Sequence, residues 1–135
     1  MKNPAVPTPE ALLAQYAAGQ RDFSGANLRG AALAEVNLSG ANLQGALLMG
    51  ANLEAADLSE VNLTAASLKG ADLSGAYLQG ANLSQADLRG ASLLGVDLRE
   101  ANLTATQLTA ADYDAYTQFP KGFAPEAAGL QRVAL

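Results

Sequence analysis

The 135-residue sequence contains no cysteine and no histidine. Without cysteine no disulfide framework can staple the chain, and without either residue the two best transition-metal ligands and the commonest general base are missing. No catalytic, metal-binding or cofactor-binding residue is therefore assigned, and the chain is expected not to be an enzyme. Long apolar runs are absent as well. The longest near the middle, Ala46-Leu47-Leu48-Met49, is far too short to span a bilayer, and Met1-Lys2-Asn3-Pro4 lacks the apolar core of a signal peptide. A cytoplasmic location with no membrane partner is the expectation. Positive charge is scarce: eight Lys and Arg face thirteen Asp and Glu, for a net charge of −5. Direct nucleic-acid binding is not expected, because phosphates call for clustered Lys and Arg. With 50% hydrophobic and 16% charged residues the chain reads as one folded domain.

What the sequence has in abundance is leucine at a fixed spacing. From Leu28 to Leu108 every fifth residue is leucine, seventeen times without exception, and Phe23 and Tyr113 extend the register at either end. Five residues advance an α-helix by about 500°, so such leucines would be spread around the cylinder rather than gathered on one face. A straight strand fails too, since an odd repeat sends successive leucines to opposite faces. Each unit must contain a corner.

Residues 21–115 divide into nineteen such units, of which Ala26-Asn27-Leu28-Arg29-Gly30 is typical. The leucine and the small residue two before it share the inward side, and the polar residue between them faces out. The last two residues make the corner, and the second is glycine in ten units, as a type II turn with its positive φ requires. Units with Glu35, Ala55, Glu60, Ala65, Gln85, Glu100, Ala105, Ala110 or Ala115 at that place are expected to use a different corner. Corners near a right angle close a coil after four units, so 95 residues at twenty per coil give about 4.75 coils. Recurrence at period twenty supports this: Asn42, Asn62, Asn82 and Asn102 repeat at one site and Gly30, Gly50, Gly70 and Gly90 at another. The asparagine ladder reads first as stacked amide hydrogen bonding. The core column includes Leu28, Leu48, Leu68, Leu88 and Leu108.

The run of A-[N/D]-L-x-G units resembles the pentapeptide-repeat proteins over residues 21–115. That resemblance implies an all-β solenoid, a right-handed quadrilateral parallel β-helix, and it supplies the handedness that the periodicity does not. The expected organisation is an N-terminal arm and capping helix over residues 1–20, the β-helix over 21–115 and a C-terminal cap over 116–135.

The ends depart from the repeat. Pro4, Pro7 and Pro9 mark Met1 to Pro7 as an extended, poorly ordered arm, and Thr8-Pro9-Glu10 predicts a helix from Pro9 to about Ala18, stopped by Gly19. Its Leu12, Leu13, Tyr16 and Ala17 fall on one side, as a cap needs. At the other end Tyr113, Tyr116, Phe119 and Phe123 concentrate the aromatic residues, followed by a short helix from Pro125 to Ala128 closed by Gly129. These four aromatics have two readings, a cap folded on its own coil or a homodimer interface.

Sorted by side, the third carries Glu35, Glu54, Asp72, Asp112 and Asp114, and the fourth carries Asp57, Glu60, Asp97 and Glu100 against Arg99. Glu54, Asp57, Glu60, Asp72, Asp97 and Glu100 are the candidate acidic interaction face. The expected function is a non-enzymatic structural or protein-interaction module whose partner is another protein. The resemblance adds an alternative, a DNA-mimicking modulator of a type II topoisomerase such as gyrase, acting through the acidic faces.

Overall fold

A computed structural model describes residues 8–134, and the Met1–Pro7 arm lies outside the described residues. The wall of the molecule is a continuous set of parallel bridges between residues twenty apart. One side joins Asp22, Asn42, Asn62, Asn82 and Asn102, the second Asn27, Leu47, Ser67, Asp87 and Gln107, and the third Ala32, Asn52, Asp72, Ser92 and Asp112. The fourth joins Asn37, Asp57, Tyr77 and Asp97. Four sides per twenty residues make a square coil, and the leucines line its interior. Leu28, Leu48, Leu68, Leu88 and Leu108 are each at most 3% exposed.

Why five residues suffice for a side and a corner is clear from the backbone donors of one unit, residues 62–66. Asn62 N–H donates backward to Ala41 O (2.9 Å), while Leu63 N–H and Ala65 N–H donate forward to Asn82 O (2.8 Å) and Ser84 O (3.0 Å). Ala66 N–H closes the corner on Leu63 O (3.0 Å). The remaining donor, Thr64 N–H, has no backbone acceptor and goes to the Asn62 side chain at 3.0 Å. All five amides are thus satisfied, which a buried or half-buried backbone requires.

The corners are uniform, contrary to the expectation of a second corner type. Ten repeat glycines have φ between 63° and 71°, and eight non-glycine residues at the same place, from Glu35 to Ala110, have φ between 57° and 63°. Left-handed backbone costs an L-residue about 1–2 kcal/mol. At Glu35, Ala55, Glu60, Ala65, Gln85 and Ala110 a forward hydrogen bond from the corner amide, together with the closure of the turn, holds the residue there, and at Glu100 and Ala105 the closed turn does so alone. Ala115 alone among the predicted exceptions is not left-handed, because the repeat changes form at that point.

At the N-terminal end α1 runs Pro9–Ala17, with the Thr8 side chain accepting from Ala11 N–H at 3.1 Å. Leu12 has no exposed surface, and Ala11, Leu13 and Tyr16 pack on the core. Ala17, expected on the apolar side, is exposed. Tyr16 O–H donates to Ser39 O at 2.7 Å, and the Arg21 guanidinium lies 3.7 Å from the centre of the Tyr16 ring. These contacts hold the helix across the first coil.

At the C-terminal end the wall continues past residue 115. Gln118 pairs with Asp97 on the fourth side, one residue later than the period of twenty, and Phe119 follows Leu98 in the interior. A 3-10 turn over Glu126–Ala128 ends at Gly129 with φ 91°. Strand β1 (Asp112–Tyr113) then pairs in parallel with β2 (Gln131–Arg132). The tail is therefore part of the coil stack and not only a lid on it.

Candidate functional site

The outward Asn and Asp residues are the most numerous polar groups on the wall, and the structure gives most of them a local task. Side-chain oxygens of Asp57, Asp72, Asn82, Asp87, Asp97 and Asn102, among others, accept the N–H two residues on, at 2.9–3.1 Å. This is the Asx turn, and it supplies the acceptor that the corner lacks. The expected amide ladder is accordingly replaced by local bonds. Within the asparagine column the one side-chain bond between coils is Asn42 Nδ2 donating to Asp22 Oδ1, at 3.3 Å.

Three of the six candidate acids fall in this group. Asp57 accepts from both the amide and the hydroxyl of Ser59 (3.1 and 2.7 Å), and Asp72 accepts from Ser74 N–H (2.9 Å). Asp97 holds Arg99 through its amide and a two-pronged ion pair, with Nη2 to Oδ2 at 2.8 Å. Asp87 and Arg89 repeat the arrangement at 2.7 Å on the second side. The hydrogen bond from each arginine holds the Asp87 and Asp97 carboxyls below the usual carboxylate range and raises the guanidinium partners. Asp22 is lowered as well, chiefly by the Ser24 amide.

Glu54, Glu60 and Glu100 are different, because all three are exposed corner residues. Glu54 stands at one edge of the fourth side, and Glu60 and Glu100 stand at the other. Gly80 lies between the last two in the same corner column, and the Glu60 carboxylate leans over it. A Cβ at residue 80 would come within 2.6 Å of Glu60 Oε1. The six acids thus form no single cluster: Asp57 and Asp97 are on the fourth side, Asp72 is on the third, and the glutamates mark the edges. Tyr77, between Asp57 and Asp97 on the flat fourth side, is 53% exposed.

The C-terminal aromatics divide three to one. Phe119 meets Tyr113 edge-on with centroids 5.4 Å apart and stacks on Phe123 at 5.1 Å. Tyr113 is buried, Phe119 and Phe123 pack on the core, and Tyr116 is 69% exposed.

Sequence reasoning missed Asp114, which it placed among the surface charges. It is 8% exposed, and its Oδ1 accepts from Gly95 N–H (3.1 Å), Tyr116 N–H (2.9 Å) and Thr117 O–H (3.3 Å). The carboxylate thereby replaces the backbone carbonyl that would receive the Gly95 amide in a regular coil, and it anchors the inserted residue. The sequence carried a signal for this. Thr117-Gln118-Phe119 repeats the form of Thr106-Gln107-Leu108 one residue out of phase, and both threonines donate to a leucine carbonyl of the preceding coil at 2.8 Å.

Family comparison agrees with this geometry. The pentapeptide-repeat family model matches in eight copies over residues 22–54, 46–85, 56–93 and 76–112. The chain belongs to the pentapeptide-repeat family. Its characteristic fold is the right-handed quadrilateral β-helix. Among solved structures, this pentapeptide-repeat chain is similar to alr5209, a pentapeptide repeat protein from Nostoc Pcc 7120. The two are 41% identical over 98% of this chain and 100% of that one, with a TM-score of 0.50. It is also similar to Rfr23 from the cyanobacterium Cyanothece 51142, at 39% identity over 73% of this chain and 63% of that one, with a TM-score of 0.61. A search among curated proteins found no match. Among the described residues no helix is long and apolar enough to cross a membrane, and no group of three acidic residues is placed to hold a metal ion.

Proposed function

We propose that this pentapeptide-repeat protein is a non-enzymatic interaction module. It presents a rigid stack of about 4.75 coils to another protein, with residues 1–20 and 116–135 finishing its two ends, and it works in the cytoplasm. The observation that carries the reading is the use of the wall's polar side chains. Most outward Asn and Asp are committed to the corners, so the surface is stiff and the exposed corner glutamates Glu35, Glu54, Glu60 and Glu100 carry its uncommitted carboxylates. Such carboxylates on a convex wall lack the desolvating pocket that acid–base catalysis needs, yet they suit recognition of a basic protein surface.

The test is a pull-down from the native host with the chain and with a Glu54→Gln/Glu60→Gln/Glu100→Gln variant, which leaves every Asx turn intact. Loss of a specific partner in the variant supports the reading, and identical partner lists reject the edges of the fourth side as the contact. The topoisomerase alternative fits less well. Duplex DNA carries a charge per about 1.7 Å of axis, whereas Asp87 and Asp97 here are neutralised by Arg89 and Arg99. A supercoiling assay with purified gyrase at micromolar chain tests it directly, and unchanged supercoiling removes it.

A further inference from the structure

The outward residues that the parallel bridges join, from Asp22 to Gln118, are polar or alanine with two exceptions, Leu47 and Tyr77. Leu47 belongs to the second side and Tyr77 to the fourth, and in a four-sided coil these are opposite faces. Tyr77 is 53% exposed, while Leu47 and its corner neighbour Met49 are half-buried. Each apolar centre is flanked along the rod by charges of one sign, and the sign differs between the faces. In the corner column that ends the second side, Met49 stands between Arg29 and Lys69. In the column that ends the fourth, Gly80 stands between Glu60 and Glu100. All four charged residues are exposed, and among the described residues the ion pairs are Arg89–Asp87 and Arg99–Asp97, so none of the four is engaged in one. The two columns also share a spacing, since each pair of like charges is two ladder steps apart, about 10 Å.

We propose that the fourth side docks on the second side of a second copy of this chain, with neighbouring rods running in opposite directions. On the facing walls of parallel rods the two chains run oppositely, so the corners that end the two sides stand at opposite edges. Turning one rod end for end brings those corners to the same edge and sets the acidic column against the basic one. In this register Tyr77 covers Leu47, and Lys69 meets Glu60 beside Asp57. Arg29 meets Glu100, whose neighbour Arg99 is held on Asp97. Met49 comes over Gln79 and Gly80. The Glu60 carboxylate leans over Gly80 in the free chain, and in the pair it swings to the lysine and clears that place. The contact joins unlike surfaces, so every pair keeps one free second side and one free fourth side, and the row stays open. A face about four coils tall is smaller than the roughly 1,200–2,000 Å² of a stable interface, so the pairing is weak and sensitive to salt. This partner assignment rests on the reading of the corner glutamates as a surface for basic protein.

The test uses the purified full chain. Light scattering at low ionic strength is expected to show a weight-average mass that rises from micromolar to millimolar protein, and about 0.5 M salt is expected to suppress the rise. Tyr77→Ser, which places there the residue found at Ser67 and Ser92, is expected to weaken association about tenfold. Lys69→Glu and Glu60→Lys are each expected to weaken it about fivefold. The exchanged variant Lys69→Glu/Glu60→Lys is expected to restore it, a recovery that damage to the fold does not mimic. Because the chain has no cysteine, Met49→Cys and Gln79→Cys chains oxidised as a mixture are expected to give mixed disulfides in excess over either homodimer. A mass that stays monomeric at millimolar protein and low salt overturns the proposal, whatever partner the pull-down returns, so the two readings fail separately. Association indifferent to Tyr77→Ser and to salt overturns it as well. So does an exchanged variant no better than the single ones, or a mixed disulfide no more abundant than the homodimers.

Discussion

At the N-terminal end of the stack a helix lies across the leucines, whereas at the C-terminal end the chain goes on building wall. Both ends begin with the same liability, an open ring of leucines and a row of strand amides. The helix meets the first half of it with Leu12 as a plug and Tyr16 O–H on Ser39 O. The tail meets both halves on two sides, with Phe119 and Leu130 continuing the interior while Gln118 and Gln131 continue the ladder. It leaves the first side open at Leu103. A separate element can seal apolar surface from any direction, but only chain in register can satisfy strand amides.

The largest effects should come from the two plugs. Leu12→Ala, fully buried against the first coil, is expected to cost about 2–4 kcal/mol, and Phe119→Ala about 2–3 kcal/mol because it is only partly buried. Urea unfolding gives the magnitudes, and native-state amide exchange separates them. The first should free α1 while the wall stays protected, and the second should loosen the last coil together with β2. Exchange that is equally global in both variants would erase the distinction between a lid and a wall. Next in size is Asp114. Asp114→Ala strands the Gly95 and Tyr116 amides and should cost about 1–3 kcal/mol, while Asp114→Asn keeps the accepting oxygen and should cost less than half of that. Equal losses would mean that the charge matters and not the acceptor.

Thr8→Ala removes the cap of α1 and should lower stability by about 1 kcal/mol, read as a lower denaturation midpoint with unchanged exchange in the last coil. The smallest effect concerns pH. Asp87 and Asp97 are held below the usual carboxylate range by Arg89 and Arg99. Their contribution is therefore complete above the unfolded value, near about 3.9, and fades as pH falls through the lower folded values. Both pairs are solvent-facing and screened by water and salt, so the contribution of each is small. Melting from pH 7 down to pH 2 should show a shallower acid loss for Asp87→Asn/Asp97→Asn, since asparagine keeps the Asx turn and loses only the titration. An unchanged acid limb would place the pH dependence elsewhere.

Much of the architecture was legible without coordinates. Leucine at every fifth position excludes helix and flat strand by arithmetic, and recurrence at twenty gives the square coil. The capping helix follows from Thr8, Pro9 and Gly19. Three features were not legible in that way. Glu35 and Ala65 look unsuited to a left-handed corner, because propensity is local and the ladder bonds that hold them there come from another coil. The Asn and Asp column looks like a surface for stacking or recognition, because the orphaned corner amide that recruits it exists only once the turn is built. Asp114 looks like one more surface charge, because the carbonyl it replaces belongs to a coil that residue 115 interrupts.

For this protein, then, repeat spacing alone determined the leucine interior, the period of twenty and the presence of corners, since these depend only on which residues can share a side. Only the tertiary structure decided which acids are committed to backbone and which stand free, where the wall ends and which two sides of the last coil lack a following strand. Those depend on hydrogen bonds between residues about twenty apart, and a one-residue insertion at the end of the repeat is enough to redirect them.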